Sequence, residues 1–169
     1  YPGGPLQGGT SSATSIELEP NGARLMAGEI MGSVDFGGTV WSTTFSSAAG
    51  NATEGYVART TDTSETALFR LRTQNPLDSV YLTSLVRHDD GDLTLGGWFG
   101  GTMYLPDGTT LSEVDGRGFI VHTGPDGTPT WTLQVPGSFT YVDRLGDKLL
   151  VRTRLPHDTG FRFAGVDYP

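Results

Sequence analysis

The chain contains no cysteine. Disulfides, thiolate metal sites and thiol nucleophiles are therefore excluded. Lys148 is its single lysine, against ten arginines. No apolar run reaches the roughly eighteen residues that cross a bilayer as a helix. No stretch sustains the 3.6-residue apolar period of a long helix. The opening "YPGGPLQGGTSSATS" has neither a charged n-region nor an apolar h-region, so it does not read as a signal peptide. Residues 1–14 read instead as a flexible Gly/Pro/Ser-rich segment, and the chain is expected to be a processed or truncated piece of something longer.

What is present points to a folded domain dense in turns. Leu, Ile, Val and Phe account for 39 of the 169 residues, enough to build a core. Gly (25) and Pro (10) are abundant, as tight turns require. The net charge is −8, from 19 acidic and 11 basic residues, which disfavours a phosphate backbone as partner. The nearest basic patches are the pairs Arg70/Arg72 and Arg152/Arg154. Their i, i+2 spacing places each pair on one face of a strand, where solvation explains them.

β-branched and aromatic residues dominate, broken every five to ten positions by Gly, Pro, Asn or Asp. That is the pattern of an all-β chain with short strands. The chain also aligns with itself. "IELEPNGARLMAG" from Ile16 lies over "LVRHDDGDLTLGG" from Leu85 and over "YVDRLGDKLLVRT" from Tyr141. "EGYVARTTDTSETALFRL" from Glu54 lies over "RGFIVHTGPDGTPTWTLQ" from Arg117, placing Tyr56 on Phe119 and Leu68 on Trp131. The first unit carries the longer loop, around "STTFSSAAGNAT". Strands are predicted near 15–18, 23–30, 55–60 and 66–72, and again near 82–87, 92–99, 118–123 and 129–135. The turns "PNG", "DDGD", "TDTSE" and "GPDGT" make the connections hairpins.

Four antiparallel strands per repeat describe a β-propeller blade. The expected organisation is blade unit 1 at 15–74, unit 2 at 82–135 and a partial unit 3 at 139–169. A β-sandwich is the alternative. Gly28, Gly96 and Gly97 are expected to let neighbouring sheets approach closely. Trp98, Phe99, Phe119 and Trp131 are expected to fill the space between them.

The order of "DFGG" (35–38), "GYVA" (55–58) or "GFIV" (118–121) and "DGTPTW" (126–131) resembles the repeats of secreted bacterial β-propeller proteins. The likeness covers residues 16–165. It departs at "YLPDG", which stands in place of "DFGG", and at Leu68, which stands in place of Trp131. The resemblance implies the architecture and an extracellular, cell-surface or periplasmic location. It does not settle the function, because fold does not determine function.

"HDDGD", His88–Asp92, is the densest group of metal-capable residues, with Asp89, Asp90 and Asp92 as candidate ligands for a hard cation such as Ca²⁺. The corresponding "EPNGA" and "RLGDK" of the other units make it a hairpin tip. No cofactor is therefore expected. Asp107, Asp115 and Asp126 each precede Gly and read as turns. His122 falls on a strand and His157 in a loop, with no nucleophile setting around either. Glu17 and Glu29 are strand carboxylates that could serve a glycan-active enzyme fragment, as channel carboxylates do. Trp41 and Phe45, in the long loop of unit 1, are the candidate ligand-binding residues: a stacking platform, or, for Trp41, a cap on the core.

The leading reading is a non-catalytic exported module for surface binding or assembly. Its expected partners are further blades, copies of itself, a glycan or a protein, with neither nucleic acid nor a membrane span. The alternative is the glycan-active enzyme.

Overall fold

Period-two alternation sets the strands, and interruptions of it set the shape. A computed structural model describes residues 9–43, 45–46, 50–154, 161–163 and 166–168. The described residues are all-β, without helix. The strands are β1 (Thr10–Leu18), β2 (Arg24–Met31), β3 (Ser33–Phe36), β4 (Thr39–Ser42), β5 (Phe45–Ser46), β6 (Gly50–Asn51), β7 (Thr53–Thr60) and β8 (Glu65–Thr73). They continue as β9 (Ser79–Arg87), β10 (Leu93–Tyr104), β11 (Thr110–Thr123), β12 (Pro129–Val135), β13 (Ser138–Leu145), β14 (Lys148–Arg154), β15 (Phe161–Phe163) and β16 (Val166–Tyr168).

Two antiparallel meanders dominate, β1-β2-β7-β8 and β9-β10-β11-β12. Each has the four strands that the repeat predicts. The first strand starts earlier than expected, at Thr10, because Thr10 pairs with Met31. The meanders lie face to face around one core of Leu25, Ala27, Val57, Phe69, Leu71, Val80, Leu82, Leu85, Leu93, Leu95, Phe99, Met103, Leu105, Phe119 and Val121. The outer face of the first meander holds Ile30, Tyr56 and Ala58 under the β3–β4 hairpin, whose Phe36 joins them. The far face of the second meander holds Val86, Ile120 and Val135, covered by the β13–β14 hairpin through Val142 and Leu149.

A ring of separate blade sheets is not what the described residues form. β10 runs past Gly101 and pairs with β8, Met103 to Thr73 and Tyr104 to Arg72. A single parallel bridge joins Thr53 to Ser79. The meanders thereby merge into one eight-stranded sheet, and β7-β8-β10-β9 close as a small four-stranded barrel of mixed direction. The physical cause is the length of β10. Its last residues stay paired with β11 but run past the end of β9, and there meet an unpaired stretch of β8.

The glycines and aromatics divide between roles. A Cβ on Gly96 would lie 2.8 Å from the Thr140 carbonyl oxygen, so this glycine admits the β13 backbone. Gly28 and Gly97 are crowded instead by strands of their own meander, at Ser12 and Tyr81. Phe99 and Phe119 are fully buried between the meanders. Trp98 packs against Tyr81 and Phe139. Trp131 remains 43% exposed.

Candidate functional site

The most ordered polar chemistry lies where one unit meets the next, and it repeats. Thr14 is the extra residue of a β-bulge in β1, and Thr83 is the extra residue of a β-bulge in β9. The two are 69 positions apart, the repeat offset. Each donates its hydroxyl to a carbonyl on the first strand of the following unit: Thr14 to Leu82 at 2.5 Å, and Thr83 to Thr140. The next residue in each case, Ser15 or Ser84, accepts an amide from that same strand. Leu85 N–H donates to Ser15 at 3.1 Å, and Val142 N–H donates to Ser84 at 2.8 Å. An arginine then reaches back from the following strand to a carboxylate at the preceding unit's first turn. Arg87 lies 4.0 Å from Glu19, and Arg144 clasps Asp89 at 2.8 and 2.7 Å. Hydroxyl, hydroxyl and ion pair thus form a three-part staple at both junctions. Its signal was legible in "ATSIEL" and "LTSLVR", which carry the same Thr-Ser at the repeat offset.

The "HDDGD" segment is a tight turn, closed by His88 N–H to the Asp92 carbonyl and Gly91 N–H to the His88 carbonyl. Its three carboxylates go separate ways. Asp89 holds Arg144, Asp90 accepts the Asp92 amide, and Asp92 lies 3.4 Å from His122 Nε2. The Arg144 guanidinium holds the Asp89 carboxyl below its ordinary value. No group of three metal-capable side chains converges among the described residues.

Behind the turn, a row crosses the second meander. His88 Nε2 lies 2.7 Å from Thr94 Oγ1, which lies 2.9 Å from His122 Nδ1. The His122 ring stacks on Trp131 at 5.4 Å. Asp92, His122 and Thr94 stand in the order of a nucleophile triad. Thr94, however, is 0% exposed and its hydroxyl is shared by two imidazoles, so no substrate carbonyl can approach it. Burial lowers the His88 pKa, and the neighbouring His122 adds to this.

Trp41 lies half-buried, with Phe36 5.1 Å away and the Arg70 guanidinium 5.7 Å from its ring centroid. Both contacts seat it as a cover over the outer face of the first meander. Phe45 pairs with Asn51 in a two-residue strand, and its side chain lies outside the described residues. Arg70 also donates to the Ser42 carbonyl and lies 3.4 Å from Glu54. Glu54 is 2% exposed, a buried carboxylate that sequence reasoning missed. Burial pushes its carboxyl above the ordinary glutamate value, against the pull of Arg70, the Thr73 amide and Arg72.

Glu17 and Glu29 do not form a pair. Glu17 faces Leu25 across β1–β2, and Glu29 faces Ser12. Leu25 and Glu29 are four residues apart on β2, about 13 Å along a strand. Retaining and inverting glycosidases hold their carboxyls about 5 to 9.5 Å apart. Asp107 and Asp126 are matching turn residues, each accepting the amide and hydroxyl of the Thr two positions on. Arg152 lies over the Tyr141 ring at 4.8 Å. The side chain of Asp115 and all of His157 lie outside the described residues.

A shallow cleft of about 340 Å³ opens beside the second junction, lined by His88, Asp89, Asp90, Arg144, Asp147 and Lys148. Its principal charges, Arg144 and Asp89, already neutralise each other. No described helix is long and apolar enough to cross a membrane. The chain matches no protein-family model and no curated protein sequence.

Proposed function

We propose that the chain is a non-catalytic, exported module built from stacked β-propeller-type blades, serving surface binding or assembly. Further blades or copies of itself complete it. The observation that carries this reading is the staple, repeated with the same chemistry at both junctions. Hydroxyls that bridge both unit boundaries fit a role in stacking, and stacking is what a four-stranded unit needs to cover its second face. The resemblance to secreted repeat proteins supports the exported location.

The last unit supports the need for partners. Among the described residues, β14 pairs only with β13. On the second meander, Trp131 and Leu133 remain 43% and 39% exposed. Open strand edges and apolar surface both favour association. Light scattering across the micromolar range tests the reading. The expected result is a species larger than the 18.0 kDa chain. A single monomer at every concentration would overturn it.

A further inference from the structure

The two junctions use the same staple, but the charges behind it differ. At the first, Arg59 of β7 clasps Glu19 with Nε at 2.6 Å and Nη2 at 2.9 Å. Position 19 corresponds to His88 at the 69-residue offset, and position 59 corresponds to His122 at the 63-residue offset. In the second unit the fixed ion pair is thus replaced by two imidazoles, 5.1 Å apart at their centroids, joined through one Thr94 hydroxyl.

That bridge has one proton to place. When one of His88 Nε2 and His122 Nδ1 carries hydrogen, the hydroxyl accepts from that N–H and donates to the other, bare nitrogen; when both carry hydrogen it accepts twice and its own hydrogen needs another acceptor. Acid puts a proton on both. Both N–H groups then point at Thr94 Oγ1, whose own hydrogen loses its acceptor in a residue with no solvent contact. Two cations also face each other across the turn. Asp92 lies 3.4 Å from His122 Nε2, and the Trp131 ring stacks on the His122 ring. His88 resists protonation: burial, His122 and Arg144 oppose it, while Asp90 and Asp92 favour it. Asp147 and Lys148, from the β13–β14 turn, line the same cleft. Asp89, adjacent to His88, pairs with Arg144 of the β13–β14 hairpin.

We propose that this His88–Thr94–His122 bridge is an acid-operated latch. Its protonation releases the β13–β14 hairpin from the second meander and leaves the first junction closed. The sign follows from the depressed His88 pKa. The folded state prefers neutral His88, so stability at this junction is full above the ordinary histidine value of about 6.5 and falls as pH drops through it. The latch lies within one chain and does not depend on whether chains assemble.

Hydrogen exchange followed by mass spectrometry on the whole chain, corrected for intrinsic rates, at pH 7.5 and pH 5.0 is the test. Residues 138–154 should lose protection on the order of tenfold, as a locally opening unit does. Residues 10–73 should keep theirs. The double variant His88→Glu/His122→Arg, which copies the pair of the first junction, should hold its protection in 138–154 at both pH values. The milder variant His88→Gln should reduce the pH effect by removing one of the two charges. Equal loss in both regions, no loss at pH 5.0, or a loss that persists unchanged in His88→Gln would each overturn the proposal.

Discussion

Glu54 is a buried carboxylate whose nearest counter-charge is Arg70, at 3.4 Å. Its worth lies in what happens when the partner is removed, because an isolated buried charge costs more than the pair contributes. Arg70→Met keeps an unbranched stem of similar reach over Trp41 and deletes the guanidinium. The expected loss at pH 7 is about 3 kcal/mol, within the range for breaking a buried pair. The raised Glu54 pKa gives the sign of the pH dependence. Removing Arg70 raises it further, so as pH falls the carboxyl takes up a proton sooner than in wild type, the uncompensated charge is relieved, and the gap from wild type narrows. Urea unfolding of both proteins at pH 7 and pH 5 measures this. An equal gap at pH 5 and pH 7 would place the effect in lost packing on Trp41 and not in charge.

At the scale of elements, the β-bulge organises the junctions. Leu82 and Leu85 both face the main core although they are three residues apart. Strict alternation would send them to opposite faces. The extra residue Thr83 restores the parity and turns its own hydroxyl toward β13. Ser84 then accepts the Val142 amide in a buried setting, whereas Ser15 accepts the Leu85 amide in a partly exposed one. Ser84→Ala should therefore cost about 2 kcal/mol, since a buried N–H loses its acceptor, while Ser15→Ala should cost nearer 1 kcal/mol because water replaces the hydroxyl. Thermal unfolding of the two variants gives the comparison, and equal shifts would contradict the assigned burial. The repeated Thr-Ser was visible in the sequence, but the bulge was not, because an extra residue is defined only against a partner strand. The "DFGG" segment shows the same limit. Gly32 and Gly101 occupy matching repeat positions and both have positive φ, 80° and 84°. After Gly101 the second unit continues in β10, whereas after Gly32 the first unit folds back as β3–β4. The apolar face of Ile30, Tyr56 and Ala58 is there to receive Phe36, and a linear repeat alignment carries no information about that tertiary choice.

For the whole molecule, the all-β class and the order of strands follow from spacing and turn chemistry, while the joining of the meanders into one sheet does not. It depends on two ladder pairs at the end of β10 and one bridge at Thr53, contacts between residues with no shared motif. Their consequence is thermodynamic. In a stack of independent repeats, stability is a sum of unit and interface contributions, and ends can open separately. Here fifteen buried residues from both meanders form one cluster, so each meander loses the larger of its two covered faces without the other. Leu82, fully buried on β9 at that shared core, is the sensitive position. Leu82→Ala should lower stability by about 3 kcal/mol, the usual cost of a large-to-small change in a core that collapses only partly. Its distinctive effect is on cooperativity. Trp41 sits in the first unit and Trp98 in the second, so 5-fluorotryptophan NMR in urea follows each meander separately. Both signals should lose their native position at one midpoint in wild type, and both midpoints should move together in Leu82→Ala. If Trp98 unfolded in the variant while Trp41 kept its native signal, the first meander would be stable alone, and the shared core would not couple the two units.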